Sequence, residues 1–219
     1  MNRIDIENKE CYIYEEGDSQ RILIQFVDDH DLKTLNQEIS LIKKSGHVFT
    51  FVAVKVKLWN QELTPWSASA VYGKEAFGNG ADKTVKFLIK DLIPYLENKY
   101  GKNLVYYLGG YSLAGLFALY CGYQTNIFKG IAACSPSVWY KGWVDYINTD
   151  DMKTENVYLS LGKKESKTRH PLVSKVEENI KYQQEMLKYK NTVLEWNDGN
   201  HFQDNEKRMA EGFIWLLAQ

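Results

Sequence analysis

The sequence predicts an α/β fold, in which a central, mostly parallel sheet carries helices on both faces. Short apolar runs alternate with longer amphipathic segments along all 219 residues, and this alternation is typical of parallel strands joined by helices. No repeat or low-complexity linker interrupts the alternation. We therefore expect a single domain that spans residues 1–219.

Six short runs rich in β-branched and aromatic residues are predicted to be core strands. They comprise residues 22–27, 48–56, 104–108, 130–134, 157–161 and 192–196. Residues 12–14 are expected to add an antiparallel strand at the edge of the sheet, paired through a turn at Gly17 and Asp18.

Apolar residues spaced three and four apart predict five helices between and after these strands. The stripes are Leu35, Ile39 and Ile42; Val85, Leu88, Ile89, Leu92 and Leu96; Leu116, Phe117 and Tyr120; Val173, Val176, Ile180 and Leu187; and Met209, Phe213, Leu216 and Leu217. Pro171 suits the first turn of the fourth helix. Ligands of parallel sheets bind at the carboxyl ends of the strands, so the residues that follow each strand are the first candidates for a site.

The third core strand runs into a glycine-rich turn, residues 109–115, with Ser112 at its apex and a helix directly behind it. Gly110 and Ala114 flank Ser112 two positions away on each side, as a sharp strand–turn–helix elbow requires, because larger side chains would clash there. The helix start supplies backbone amides and a positive dipole end for a developing oxyanion. Ser112 is the candidate nucleophile and the Leu113 N–H the first oxyanion donor; the alternative is a purely structural turn.

A nucleophilic serine needs a base, and the chain offers four histidines. His201 follows the last core strand in a glycine-containing loop just before the final helix, from which a base can reach Ser112. The other three, His30, His47 and His170, lie in loop or turn contexts typical of surface residues. The alternative for His201 is a loop histidine that pairs with Asp198 or Asp204.

The orienting carboxylate is expected between serine and histidine in chain order. Glu165 stands three residues past Gly162, at the carboxyl end of the fifth core strand, where it could hold the imidazole tautomer and stabilise the imidazolium. A surface glutamate paired with Lys163 or Arg169 is the alternative. Asp198 is the rival acid, and a serine–histidine dyad without an acid is a third possibility.

Four stretches of the chain resemble a bacterial esterase family of the α/β-hydrolase superfamily, which includes enterochelin (siderophore) esterases and S-formylglutathione hydrolase, also called esterase D. The stretches are residues 62–66, 80–95, 110–115 and 135–140, within a likeness that covers about residues 20–217. Residues 135–140, Ser-Pro-Ser-Val-Trp-Tyr, are most similar to the siderophore-esterase branch. Ala114 stands where many members have glycine.

The resemblance implies the α/β-hydrolase fold, with Ser112 as nucleophile, His201 as base and the acid a few residues past the strand end where Glu165 stands. It also implies a second oxyanion donor in the loop after the first core strand, near Val27.

Four aromatic residues are expected to flank this site, where they would suit an aromatic or apolar acyl group: Tyr111, Trp66, Trp139 and Tyr140. The alternative is that one or two of them belong to the core.

The function predicted from these residues is hydrolysis of carboxylic esters through a Ser-His-acid triad and an acyl-enzyme, with no cofactor and no metal. Acyl transfer or thioester cleavage would use the same residues, and a non-catalytic binding protein of the α/β-hydrolase fold is the alternative from another class. The acids Asp28 and Asp29 beside His30 could suggest a metal site, but consecutive acids in a loop are expected to be solvated.

Composition argues against several partners. The formal net charge of −1 favours neither nucleic acid nor an anionic membrane surface. No stretch approaches the ~20 apolar residues of a membrane span, and no signal peptide is visible, so a cytoplasmic location is expected. Cys11, Cys121 and Cys134 form neither metal spacing nor a disulfide framework, and the last two are expected to be buried thiols. The sequence does not indicate an oligomeric state.

Overall fold

A computed structural model describes residues 1–219. Its eight strands are β1 (Asn2–Ile6), β2 (Lys9–Glu15), β3 (Arg21–Val27), β4 (Thr50–Lys55), β5 (Val105–Tyr111), β6 (Phe128–Cys134), β7 (Asn156–Gly162) and β8 (Asn191–Asn197). They form one sheet in the order β1-β2-β4-β3-β5-β6-β7-β8. Neighbours from β4 to β8 are parallel, whereas β2 is antiparallel to both of its neighbours, β1 and β4. The predicted mostly parallel sheet of an α/β fold is confirmed.

Helices connect most of these strands: α1 (Asp31–Lys43), α2 (Trp59–Glu62), α3 (Ala81–Phe87), α4 (Ile93–Tyr100), α5 (Leu113–Gln124), α6 (Trp143–Ile147), α7 (Val176–Met186) and α8 (Asn205–Leu217). A π-helical turn, Leu88–Leu92, joins α3 to α4, and a 3₁₀ turn, Val173–Lys175, precedes α7. None of the helices is long and apolar enough to cross a membrane.

Both faces of the sheet are covered, and each cover has its own core. Helices α1 and α8 pack together on one face, where Leu35, Ile39 and Phe213 are buried. On the other face α5 is buried from Leu113 to Tyr123 and packs against β5 and β6, and the core there includes Leu116 and Phe117. This two-sided burial explains why the strands read as continuous apolar runs rather than as alternating ones.

Residues 12–14 form the predicted antiparallel strand, but the predicted partner strand is wrong. Strand β2 does not fold back onto β3 through the Gly17 turn; it pairs with β4, Cys11 opposite Val54, and with β1 on its outer side. Strand β1 was not predicted, because its exposed, largely polar residues carry little hydrophobic signal. A two-residue turn at Glu7 and Asn8, both with positive φ, joins β1 to β2, as tight hairpins require.

The second predicted helix is present but is not a regular α-helix. Pro94 lacks the N–H that would bond to the carbonyl four residues earlier, and the π-helical turn lies directly before the segment that contains it. Of the predicted stripe, only Ile89 is incompletely buried. Pro171 precedes a 3₁₀ turn instead of opening the α-helix α7.

All three cysteines are free and buried, as predicted for Cys121 and Cys134. Burial raises the pKa of the Cys11 and Cys134 thiols to about 12, so both stay protonated at neutral pH.

Candidate active site

The turn after β5 is a strained elbow with Ser112 at its apex. Ser112 has φ 57° and ψ −118°, a backbone conformation that residues other than glycine rarely adopt and that is found mostly at functional sites. A Cβ on Gly110 would lie 2.2 Å from the carbonyl oxygen of Ala114, and one on Gly115 would lie 2.9 Å from that of Gly110. Only glycine fits at these positions, so the local sequence is what allows helix α5 to start directly behind Ser112.

Three side chains from the carboxyl ends of β5, β7 and β8 form a hydrogen-bonded chain. His201 Nε2 lies 2.9 Å from Ser112 Oγ, and His201 Nδ1 lies 2.8 Å from Glu165 Oε2. With Nδ1–H donating to the carboxylate, Nε2 is left free to accept the serine proton. The arrangement can therefore carry a proton from serine to imidazole.

The Glu165 carboxylate is buried, and its Oε1 accepts hydrogen bonds from three donors. Oε1 accepts hydrogen bonds from Ser135 Oγ at 2.7 Å, the Gly162 N–H at 2.7 Å and Arg208 Nη1 at 3.0 Å. Burial by itself would raise the pKa of Glu165, but the hydrogen bond and charge of His201, with the bonds from Ser135 and Gly162, hold it below its usual value. Glu165 is thus an ionised partner for His201 at neutral pH.

The rival acid faces solvent. The Asp198 side chain is 94% exposed and pairs with Lys163 at 2.8 Å, so its carboxylate does not contact His201. The remaining histidines lie elsewhere: His47 lies beside Arg21, and His170 Nδ1 accepts the Leu172 N–H.

The acidic loop before α1 is ordered by its own hydrogen bonds. Ligand atoms of Asp28, His30 and Asp31 lie within 4.8 Å of one another. Asp28 Oδ1 accepts the N–H groups of His30 and Asp31 at 2.7 and 2.8 Å, a turn that leads into the helix. These bonds give the acids a structural role at the start of α1.

The two positions expected to bind an oxyanion differ in their surroundings. Leu113 opens α5, so its N–H has no intrahelical acceptor, and the residue lines the cleft above Ser112. Val27 ends β3 and its side chain is fully buried. Because Gln25 pairs with Gly109, the backbone at Val27 runs beside the last residues of β5, just before Ser112.

A family model described as Putative esterase matches residues 43–214. The chain belongs to this esterase family. The membership confirms the predicted family and, with it, the class of enzyme, an esterase. No curated protein sequence matches the chain.

Solved structures agree with this esterase fold. An IroE-like serine hydrolase from Shewanella oneidensis is 15% identical with a TM-score of 0.77, over 96% of this chain and 76% of that one. A siderophore hydrolase, EstA from Aspergillus nidulans, is 15% identical with a TM-score of 0.75, over 96% and 90%. Enterobactin hydrolase IroE in complex with DFP is 14% identical with a TM-score of 0.67, over 100% and 94%. At such identities the likeness shows the fold, and the predicted α/β-hydrolase fold is confirmed.

A cleft of about 440 Å³ opens over Ser112 and His201 in this esterase. Five aromatic side chains from four segments form much of its wall: Trp59, Tyr72, Phe77, Trp139 and Phe202. Tyr72 and Phe202 are 62% and 86% exposed, which places large apolar surface at the rim. The wall of the cleft is therefore largely aromatic.

The unpaired charges in the wall of the cleft are all positive. Lys164 and Lys167 line it, and neither lies within ion-pair distance of a carboxylate, whereas the adjacent Lys163 pairs with Asp198 outside the cleft. The acidic residue in the wall is Glu165, whose charge is already engaged by His201 and Arg208.

Of the aromatic residues predicted to flank the site, Trp139 lines the cleft and the other three lie behind it. Trp66 stacks on Trp143 and donates its Nε1–H to the Lys141 carbonyl. Tyr140 is buried and its hydroxyl bonds to the Trp66 carbonyl.

Tyr111 lies under the histidine ring, where its hydroxyl donates to the His201 carbonyl at 2.9 Å. The four residues were predicted because they lie at the elbow or in the family-like stretches 62–66 and 135–140. The sequence does not show on which side of the backbone each side chain lies.

Sequence analysis missed two residues that contact the Glu165 carboxylate, Ser135 and Arg208. Ser135 belongs to the segment 135–140, whose family resemblance implies no role for it. Arg208 lies in the first half of the amphipathic helix α8 and belongs to no motif. The one sequence signal for Arg208 is its place directly before Met209, the first residue of the apolar stripe of the last helix. The structure buries it, and arginines are rarely buried without a partner.

Proposed function

We propose that Ser112, His201 and Glu165 act as a catalytic triad that hydrolyses carboxylic esters through an acyl-enzyme. The observation that carries the proposal is the continuous chain from Ser112 Oγ through both ring nitrogens of His201 to Glu165, with contacts of 2.9 and 2.8 Å. Such distances lie within the range that proton transfer requires.

In the first half-reaction Ser112 Oγ attacks the ester carbonyl while His201 Nε2 takes the hydroxyl proton. The oxyanion forms against the Leu113 N–H, with a second donor from the backbone at Val27. His201 then gives the proton to the departing alkoxide. The alcohol is released, and the acyl group stays bound to Ser112 Oγ.

In the second half-reaction His201 Nε2 deprotonates water, which attacks the acyl carbonyl. His201 then returns the proton to Ser112 Oγ as the bond between Oγ and the acyl carbon breaks, which releases the carboxylic acid and free Ser112. Glu165 stabilises the imidazolium in both steps.

The substrate that best fits the cleft is a small-molecule ester with an aromatic or apolar part against Trp59, Phe77 and Trp139. An anionic group elsewhere in the substrate would meet Lys164 and Lys167. The three free cysteines are in keeping with the cytoplasmic location expected from the sequence.

The direct test measures release of p-nitrophenol from p-nitrophenyl esters by the wild type and by Ser112→Ala. We expect turnover by the wild type and loss of at least about 10³-fold in the variant, whose fold should persist because one hydroxyl is removed from a preformed turn. Wild-type activity in Ser112→Ala would refute the nucleophile. Faster product formation with an added alcohol or thiol acceptor than with water would identify an acyltransferase, and absence of turnover on oxygen and thioesters alike would favour a binding protein.

A further inference from the structure

Arg208, in the first half of α8, is buried with 1% of its side chain exposed and reaches the carboxyl edge of the sheet below the cleft. We propose that Arg208 is a positioning residue of the reaction, which holds Glu165 and the loop that carries His201 in a fixed relation to each other and sets the charge of the pair. The inference rests on the proposed triad and adds to it a fourth residue that does not contact the substrate.

One nitrogen of the guanidinium binds the acid side of the triad. Nη1 donates to Glu165 Oε1 at 3.0 Å and contacts Ser135 Oγ at 3.1 Å and the Tyr111 hydroxyl at 3.0 Å. A Cβ on Gly162 would lie 2.8 Å from Glu165 Oε1 and 3.1 Å from Nη1. The glycine at the end of β7 therefore leaves the space that this contact needs.

The other nitrogen binds the base side. Nη2 donates to the carbonyls of Asp198 and Asn200, both at 3.0 Å. These carbonyls bracket Gly199, whose φ of 94° makes the turn that leads to His201. A planar guanidinium fixes the angle between its two nitrogens, so Arg208 sets the position of the acid relative to the histidine loop.

The same contact places a permanent cation next to the Glu165–His201 pair. Removal of a nearby positive charge makes the pair bind its proton more tightly, so the pair would become protonated at a higher pH. A histidine that holds its proton cannot accept one from Ser112.

Other titratable groups around this cluster do not reproduce that charge. Burial raises the pKa of Tyr111 far above neutral, and that of Cys134 to about 12, so both are neutral. Asp198 points to solvent with Lys163. Other charged groups on the elements packed here include Lys164 and Lys167 on the Glu165 loop, Asp204 in the histidine loop, Glu206, Lys207 and Glu211 on α8, and Asp31 and Glu38 on α1.

The experiment compares Arg208→Lys, Arg208→Met and a matched control, Met209→Ala. Met209 is the next residue of α8 and is 1% exposed, but it packs in the core instead of bonding to Glu165. For each folded variant we would measure kcat and KM across pH with a p-nitrophenyl ester, together with the thermal unfolding temperature.

We expect Arg208→Met to move the acid limb of kcat/KM to higher pH by about 1 unit. Arg208→Lys keeps the cation but cannot bond to Glu165 and both loop carbonyls; we expect an unmoved acid limb, an unchanged KM and a kcat lowered about 10- to 100-fold. Met209→Ala should lower stability and leave both the acid limb and kcat near those of the wild type.

An acid limb in Arg208→Met that stays at the wild-type pH would overturn the proposal, as would wild-type kcat in Arg208→Lys. If Arg208→Met does not fold, Arg208→Lys decides through its kcat.

A second readout does not depend on turnover. The His201 ring would be titrated by NMR in Ser112→Ala, with and without Arg208→Met. The pH at which the ring binds its proton should be higher when Arg208→Met is present. If the wild type hydrolyses no ester, the proposed function fails while this titration still tests the role of Arg208.

Discussion

At the scale of single residues, Glu165 and Asp198 are two carboxylates near one histidine with opposite surroundings. Glu165 is buried with four hydrogen-bond partners, including His201, whereas Asp198 is solvated and paired with Lys163. The environment, and not distance along the chain, decides which of the two can orient an imidazole.

This contrast predicts different costs for two matched substitutions. Glu165→Gln keeps the shape of the side chain but removes the charge that stabilises the His201 imidazolium, so we expect kcat to fall by about 10²–10⁴-fold. Asp198→Asn removes an exposed ion pair of little energetic value, and activity should stay within about twofold of the wild type. Steady-state kinetics of both variants at one pH checks the pair.

A silent Glu165→Gln beside a crippled Asp198→Asn would transfer the role to Asp198. Two silent variants would indicate a Ser112–His201 dyad.

The proposed triad could be predicted from sequence because each member follows a strand end in a parallel sheet. Ser112, Glu165 and His201 each sit within a few residues of an apolar run, and such runs must meet at one edge. Arg208 and Ser135 could not be found in this way, because their roles depend on which side chains a helix and a neighbouring strand bring to the same carboxylate.

At the scale of elements, helix α1 carries a buried carboxyl group that packs against the sheet on the face opposite α5. Glu38 is 3% exposed; its Oε2 accepts a bond from Gln25 Nε2 at 3.3 Å, and its Oε1 has no partner. Burial raises the pKa of Glu38 well above its usual value, with Asp31 and Glu206 as further negative neighbours. The ionised form therefore opposes folding.

Glu38→Gln should stabilise the protein at high pH. An acid with a raised folded-state pKa binds its proton more tightly when folded, so stability falls as pH rises from the unfolded value through the folded one. The variant lacks this loss, and we expect it to gain about 1–3 kcal/mol in the free energy of unfolding near pH 8 and little near pH 4. Denaturant unfolding across pH measures the difference.

Glu178→Gln, an exposed glutamate on α7, is the control and should leave the pH dependence unchanged. A constant difference between Glu38→Gln and the wild type at every pH would contradict the account.

Most elements could be predicted from periodicity, and the exceptions have physical causes. Strand β1 is an exposed edge, and α2 and α6 are shorter than two helical turns, so none of them shows a readable hydrophobic period. Strand β2 pairs with β4, which is distant in sequence, so the local turn at Gly17 could not predict this pairing.

At the scale of the whole molecule, the formal net charge is −1, but the unpaired charges of the cleft are the cations Lys164 and Lys167. A cleft with apolar walls strengthens the field of such charges on a bound group. The net charge of the molecule therefore does not predict the charge of the substrate that its cleft would favour.

We expect aryl esters with a free carboxylate to react with a kcat/KM higher than that of neutral isosteres, by about 5- to 10-fold at low salt. Replacement of both Lys164 and Lys167 by glutamine should abolish the preference. Lys163→Gln, which removes a lysine already paired outside the cleft, should retain it. Equal preference in all three proteins, independent of salt, would remove the lysines from substrate recognition.

The central claim is that His201 activates Ser112 as a nucleophile, and a fluorophosphonate probe tests it without knowledge of the natural ester. An activated serine displaces fluoride and keeps the phosphonyl group, so intact-mass and peptide mass spectrometry can locate the adduct. We predict a single adduct on the peptide that contains Ser112, absent in Ser112→Ala and formed far more slowly in His201→Gln. An unmodified Ser112 in the folded wild type, or labelling at the same rate in Ser112→Ala, would contradict the account.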